Sequence, residues 1–294
     1  MGQPDAPMQL DVCRTCHLVW LDHGEEEQLP RSEPEPVQAA LEPALPDEAR
    51  KALALWKVGE LREAHLRSAP PSTRGGRLAG YLGLPVLENA APTTDPALFT
   101  WAVAVFMMLA SLWAWKEPLL DSEFGFLPGD PWRHGCATPF TSFFIHGSLG
   151  HLLGNGYFLL VFGAAVEALL GPLRYLSLLA AGVILGVAGH VLVDPRSDIL
   201  LIGASDGISA IIAYYALAFP HARVRIFIFH RWLAYGQQPA WRWLSISVRT
   251  ALVLWIGLQL RDTLHQAQAL THVSSAAHLG GAAAGFIAWL LWRR

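Results

Sequence analysis

The sequence contains little charge and little cysteine. Asp, Glu, Lys and Arg make up 15% of its 294 residues, and the formal net charge is −3. Nucleic acid partners require a strongly basic surface, so we expect none here. Three cysteines are too few for a disulfide framework. The first residues, MGQPDAPMQLDV, lack the basic start and the apolar core of a secretory signal peptide, so no such signal is expected.

Apolar side chains are abundant instead. Hydrophobic residues make up 53% of the chain, and there are 12 tryptophans. This composition is unusual for a soluble domain of this length and indicates a membrane protein, with the lipid bilayer as its surroundings.

Three regions differ in composition. Residues 1–30 contain a Cys-x-x-Cys pair, residues 31–95 form a Pro/Glu-rich linker followed by a short surface helix, and residues 96–294 form a membrane domain. The predicted fold class is an all-α membrane protein, a six-helix bundle with a polar cytoplasmic N-terminal extension. The six apolar runs lie at about 96–115, 149–170, 174–193, 205–219, 247–261 and 275–292.

The distribution of charge predicts the orientation. Four arginines lie in the loop after the fourth run (Arg223, Arg225, Arg231 and Arg242), and the chain ends in Arg293 and Arg294. The loops of opposite parity are acidic, with Asp121, Glu123, Asp130, Asp194 and Asp198. The positive-inside rule then predicts a multi-pass protein of the plasma (inner) membrane with both termini in the cytoplasm.

The fourth run is too short to cross a bilayer. About 15 residues separate Ser205 from Pro220, whereas a spanning helix needs about 20. The helix could be tilted away from spanning, or it could begin below the outer surface. In the second case the preceding loop dips into the membrane, which is tolerated only inside protein or beside water. Ser205 would then lie at a helix N-terminus in a wet pocket.

Four polar residues of the apolar runs suit nucleophilic catalysis. Ser205 is the candidate nucleophile, and His278 is its candidate general base. His151 and Asn155 are four residues apart, so both face the same side of the second helix and could bind an oxyanion. Small residues on the fourth helix and Gly281 and Gly285 on the sixth predict that these helices approach closely.

These motifs resemble the rhomboid family of intramembrane serine proteases. The resemblance covers residues 98–294 and includes HGSLGHLLGN with the HxxxN pair His151 and Asn155, GASDG with Ser205, and AAHLGGAAAGF with His278. It implies cleavage of transmembrane protein substrates near the outer membrane face, with a Ser-His dyad and no cofactor. Two positions depart from the family pattern: Asp206 follows the serine where glycine is common, and Ser209 stands where tyrosine often stacks on the histidine.

Two other functions are compatible with the sequence. Asp206 favours an inactive rhomboid-like protein that binds membrane clients. A transporter or metal-binding channel would require His146, His151, His190 and His278 to converge. Considered singly, His146 is expected to hold the first loop near the second helix, and His190 is expected to lie at the membrane interface.

The N-terminal segment CRTCHLVWLD is similar to half of a small zinc ribbon. Cys13 and Cys16 would be two zinc ligands, but a structural zinc site requires four. A zinc site at this knuckle and a reduced thiol pair without metal are both compatible with the sequence.

Overall fold

The computed structural model describes residues 11–12, 19–20, 48, 51–58, 70–71, 73–88, 97–117, 119–195, 200–229, 241–267 and 273–293. Its contacts divide the chain into two compact units, 1–64 and 65–294. In the first unit, strands β1 (Asp11–Val12) and β2 (Val19–Trp20) pair in antiparallel fashion, and residues 51–58 form helix α1. Cys13 and Cys16 lie between the two strands, outside the described residues, so zinc binding stays a prediction.

The second unit is mostly helical. Its α-helices are α2 (Arg74–Tyr81), α3 (Leu98–Ala114), α4 (Leu120–Phe124), α5 (Arg133–Cys136), α6 (Thr138–Thr141), α7 (Leu149–Leu170), α8 (Pro172–Val193), α9 (Ser205–Ala218), α10 (Val248–Ala267) and α11 (Ser275–Trp292). A 3₁₀ turn, Ser142–Phe144, follows α6.

Helices occur at all six positions where the sequence predicts them. Within the described part of the chain, α7, α8 and α11 are long and apolar enough to cross a membrane, and α3 is a shorter apolar helix. Helix α9 has 14 residues and begins at Ser205, as its short apolar run predicts.

Local sequence determines where the central helices begin and end. The Ser148 hydroxyl accepts the His151 N–H at 3.2 Å and caps the start of α7. Gly171, at φ 72°, ends α7, and Pro172 starts α8, where its missing N–H costs nothing. Helix α9 begins two residues after Gly203, which has φ 115°.

A three-stranded antiparallel sheet lies in the second unit, and the sequence analysis did not anticipate it. Strands β3 (Val86–Glu88), β4 (Arg223–Phe229) and β5 (Trp241–Ser247) pair in that order. The prediction of a loop after the fourth helix is wrong at β4 and β5. Parts of these strands, RVRI and LSIS, alternate polar and apolar residues with a period of two, which is typical of half-buried strands. Arg225 forms an ion pair with Glu88 across the β3–β4 pair.

Two buried polar residues tie helix ends together. Glu167 of α7 accepts the Phe99 and Thr100 N–H groups at 3.0 and 2.7 Å, so it caps the first turn of α3. His190 was expected at the membrane interface, and its depth in a bilayer stays a prediction. Its ring is 2% exposed, and Nδ1 lies 2.9 Å from the Ser274 Oγ, beside the start of α11.

Candidate active site

Ser205 and His278 meet across two closely packed helices. The Oγ of Ser205, at the first position of α9, lies 2.8 Å from Nε2 of His278 on α11. The close approach depends on glycine: a Cβ at Gly281 would collide with the Asp206 carbonyl oxygen. A second glycine, Gly285, one turn further along α11, faces the Ala210 carbonyl in the same way. The predicted stripe of small residues therefore brings a short hydroxyl and an imidazole into hydrogen-bond reach.

The other ring nitrogen of His278 also has a partner. Its Nδ1 lies 2.8 Å from Oε1 of Gln259 on α10. The sequence analysis missed Gln259, although a carboxamide within the apolar stretch VLWIGLQL is the kind of isolated polar group that marks a functional position in a membrane helix.

His151 packs directly on the loop that precedes Ser205. A Cβ at Gly203 would lie 2.7 Å from Nε2 of His151, so the imidazole occupies the space that a side chain would need. Gly203 also has a positive φ, which favours glycine. These two constraints explain the glycine two residues before the serine.

Asn155 belongs to a buried chain of hydrogen bonds. The Ser111 hydroxyl donates to the Phe144 carbonyl at 2.9 Å, so it accepts from Nδ1–H of His146, 3.0 Å away. The Nε2 lone pair of His146 then accepts an N–H of the Asn155 carboxamide at 2.9 Å. This chain fixes the orientation of the Asn155 amide and leaves its second N–H for another acceptor. His146 thus connects the first loop to α7, as predicted, and to α3 as well.

Two cavities meet at the Ser205–His278 pair. One, of about 580 Å³, lies among the start of α7, the loop at 200–203 and the start of α11, and its lining includes His151 and Asp206. The other, of about 380 Å³, is mostly apolar and runs between α7, α9 and α10 toward β4. The residues that line both cavities are Asn155, Phe158, Ser205 and His278. The hydroxyl therefore lies between a polar pocket and an apolar one.

The two residues that depart from the family pattern have local roles. Asp206 is 5% exposed, and its Oδ1 accepts the N–H of Gly207 at 2.7 Å, within the first turn of α9. The Ser209 hydroxyl donates to the Ser205 carbonyl at 2.5 Å. Ser209 therefore bonds to its own helix. An aromatic ring does lie beside His278, but it comes from Trp255 of α10, with 6.3 Å between the ring centroids.

The first loop has its own internal contacts, and the remaining histidines form separate groups. Arg133 donates through Nη2 to the Gly125 carbonyl at 2.6 Å, a contact within the first loop. The rings of His146 and His151 lie 4.9 Å apart, whereas His190 belongs to the separate cluster with Gln266 and Ser274. Among the described residues, no three His, Cys, Asp or Glu side chains form a group that could hold a metal ion.

Comparisons with known proteins show which family the chain resembles. The rhomboid domain model matches residues 129–294. The chain is 33% identical to "Rhomboid-related protein 1" of Caenorhabditis elegans over 168 residues, which cover 54% of this chain and 39% of that protein. It is 30% identical to "Putative rhomboid protease YdcA" of Bacillus subtilis (strain 168) over 101 residues, which cover 34% of this chain and 48% of that protein.

The matched segments thus span less than half the length of either relative. The family match includes all four polar residues discussed above and extends over more than half of the chain. Together with its apolar helices, this match identifies an integral membrane protein. The chain belongs to the rhomboid family.

Proposed function

We propose that this protein is an intramembrane serine endopeptidase that cleaves transmembrane protein substrates near the outer face of the membrane. The observation that carries the proposal is the 2.8 Å contact between the Ser205 hydroxyl and His278 Nε2. Its setting adds support, because the serine begins a helix, where a developing negative charge is stabilised, and borders a polar cavity.

The proposed reaction uses these side chains in two stages. Ser205 Oγ attacks the scissile carbonyl carbon while His278 Nε2 takes the hydroxyl proton. The oxyanion accepts hydrogen bonds from His151, from the free N–H of Asn155 and from the backbone N–H of Ser205, which has no acceptor within its own helix. His278 then donates the proton to the leaving amine. In the second stage a water molecule, deprotonated by His278, attacks the acyl-serine ester; the bond to Oγ breaks, the acid is released, and His278 returns the proton to Ser205 Oγ.

The membrane arrangement is part of the proposal. We place six membrane helices, α3, α7, α8, α9, α10 and α11, in the plasma (inner) membrane, with both termini and the N-terminal extension in the cytoplasm. The arginines of β4 and β5 and the acidic residues of the first loop support this orientation. The polar cavity beside Ser205 would then open toward the outer face.

A fluorophosphonate probe tests the nucleophile without knowledge of the substrate, since only an activated serine reacts. We expect the full-length protein to be labelled and Ser205→Ala to remain unlabelled. His278→Ala should react at least about 100-fold more slowly, because the base is lost. Ser177→Ala is the matched control, as the Ser177 hydroxyl bonds to the Leu173 carbonyl of its own helix. Equal labelling of the first two proteins would refute the proposal.

Asp206 supports a second candidate, an inactive rhomboid-like protein that binds membrane clients. Asp206 directly follows the proposed nucleophile and lines the same cavity, where an ionised carboxylate would oppose the development of a second negative charge. If this candidate is correct, the wild-type protein resists the probe, and Ser205→Ala retains membrane clients in a pull-down. Cleavage of a reporter transmembrane segment, lost in Ser205→Ala, excludes it.

A further inference from the structure

His278 is held at both ring nitrogens, and the proposed mechanism uses only one of them. Its Nε2 contacts Ser205, and its Nδ1 lies 2.8 Å from the side-chain carbonyl of Gln259. We propose that Gln259 is a positioning residue that keeps His278 in the tautomer able to accept the serine proton. This inference rests on the proposed protease function.

The chemistry follows from what each atom can do. A neutral imidazole carries one N–H, and an amide carbonyl oxygen can only accept. With Oε1 of Gln259 toward the ring, the proton resides on Nδ1, and the Nε2 lone pair faces the Ser205 hydroxyl. When His278 takes the serine proton, the imidazolium donates from both nitrogens. The Gln259 carbonyl dipole then stabilises this positive charge without taking a proton itself.

The other neighbours of the His278 ring among the described residues do not select its tautomer, whereas Gln259 of α10 does. Ser209, one turn after Ser205, directs its hydroxyl to the Ser205 carbonyl. Trp255 flanks the ring, with an interplanar angle of 31°, and an indole face does not select one tautomer. Gln259 stands among leucines, where a carboxamide without a partner costs a few kcal/mol, so its bond to His278 also explains its presence in the helix.

A purely structural tie between α10 and α11 would give the same contact, and the variants are chosen to separate the two roles. Gln259→Met keeps the length and volume of the side chain but removes the strong acceptor. Gln259→Glu restores an acceptor. Thr263→Val is the matched control: it removes a hydroxyl from the next turn of α10 that donates to the Gln259 backbone carbonyl.

Fluorophosphonate labelling of the full-length protein in detergent micelles gives the first readout. For Gln259→Met we expect the limiting labelling rate to fall about 10- to 100-fold, with an unchanged half-saturating probe concentration, because proton transfer is impaired rather than probe binding. We expect the labelling rate of Gln259→Glu to lie within about fivefold of the wild-type rate. The rate of Thr263→Val should equal that of wild type. A structural tie predicts instead that Gln259→Met lowers thermal stability and labelling rate together, and that Gln259→Glu restores both.

The second readout is the tautomer itself. ¹⁵N NMR of histidine-labelled protein distinguishes a protonated from an unprotonated ring nitrogen, and His278→Gln identifies the signals of His278. We expect Nδ1–H in wild type and a loss of this preference in Gln259→Met. An Nε2–H signal in wild type overturns the inference even if Gln259→Met does not fold.

The two proposals can fail separately. If wild type is labelled, Ser205→Ala is not, and Gln259→Met reacts at the wild-type rate, then Gln259 does not position the base and the protease function stands. If wild type resists the probe, the protease function fails. The Nδ1–H signal then shows whether Gln259 holds the ring in a protein without that activity.

Discussion

The two sides of the Ser205–His278 pair are packed in opposite ways. Toward α8, the α9 and α11 helices approach so closely that a Cβ at several glycines would overlap a neighbouring backbone or Cβ. These glycines are Gly182, Gly186, Gly189, Gly280, Gly281 and Gly285. Toward α7 and α10 lie the two cavities, and a Cβ at Gly150, Gly154 or Gly257 would meet nothing within 4 Å.

This difference indicates that the two sides have different roles. The glycine-packed side fixes the distance between the side chains of Ser205 and His278. This distance matters because a shift of about 1 Å would break their 2.8 Å hydrogen bond. The open side leaves room for a substrate segment next to the hydroxyl. On that side His151 packs on Gly203, and hydrogen bonds through His146 and Gln259 orient the other polar groups.

The largest expected effect follows from filling the packed side. Gly281→Leu inserts a side chain where the Asp206 backbone already lies, so α9 and α11 must separate. Overpacking of this kind costs about 3 kcal/mol or more, and the dyad is pulled apart as well. We expect a large drop in the thermal midpoint measured in detergent and the loss of fluorophosphonate labelling. Gly257→Leu, on the open surface of α10, is the control and should retain both.

An unchanged midpoint and labelling rate in Gly281→Leu would contradict the packing described for α9 and α11. Equal damage from Gly257→Leu would mean that α10 is packed as tightly as α11, and the comparison between the two sides would fail.

The packed side could be predicted from the sequence, and the open side only in part. Small residues at helical spacing on α9 and α11 indicate close approach, and the rhomboid-like motifs add the pairing of Ser205 with His278. The contact of Gln259 with His278 could not be predicted, because a single polar residue in an apolar helix does not reveal which neighbouring helix it faces. The orientation of Asn155 depends on Ser111, 44 positions earlier in the chain, through a ring on a third segment.

Outside the helices, the prediction of a loop at β4 and β5 was wrong, because charge indicated a loop while the apolar residues indicated strands. The arginines of RVRIFIF and WRWLSIS are typical of a cytoplasmic loop, and only short parts of these runs, RVRI and LSIS, alternate as a strand does. Pairing with Val86–Glu88, more than 130 positions away, completes the sheet, and a local pattern does not contain such a partner. The partners of His190 could not be predicted for a similar reason, since Gln266 comes from α10 and Ser274 from the segment before α11.

A smaller effect is expected when the hydrogen bonds of the open side are broken. Ser111→Ala removes the acceptor of His146 Nδ1–H in a fully buried place, at a cost of about 1–3 kcal/mol. If the ring moves its proton to Nε2, it no longer accepts from Asn155, and the proposed oxyanion donor loses its fixed direction. We expect labelling to slow about tenfold. Ser177→Ala serves again as the control, and an unchanged rate would show that Asn155 is held by other contacts.

The smallest effect is expected from adding one methyl group to the open side. Gly154 faces the 580 Å³ cavity, and a Cβ there meets nothing within 4 Å. Gly154→Ala should leave the labelling rate unchanged and raise helix stability by up to about 1 kcal/mol, because alanine loses less backbone entropy than glycine. Gly154→Phe at the same position should keep the thermal midpoint but slow cleavage of a reporter transmembrane segment, since the ring occupies the space beside Ser205. If Gly154→Ala destabilised the protein as Gly281→Leu is expected to, the cavity beside α7 would not be open, and α7 would belong to the packed side.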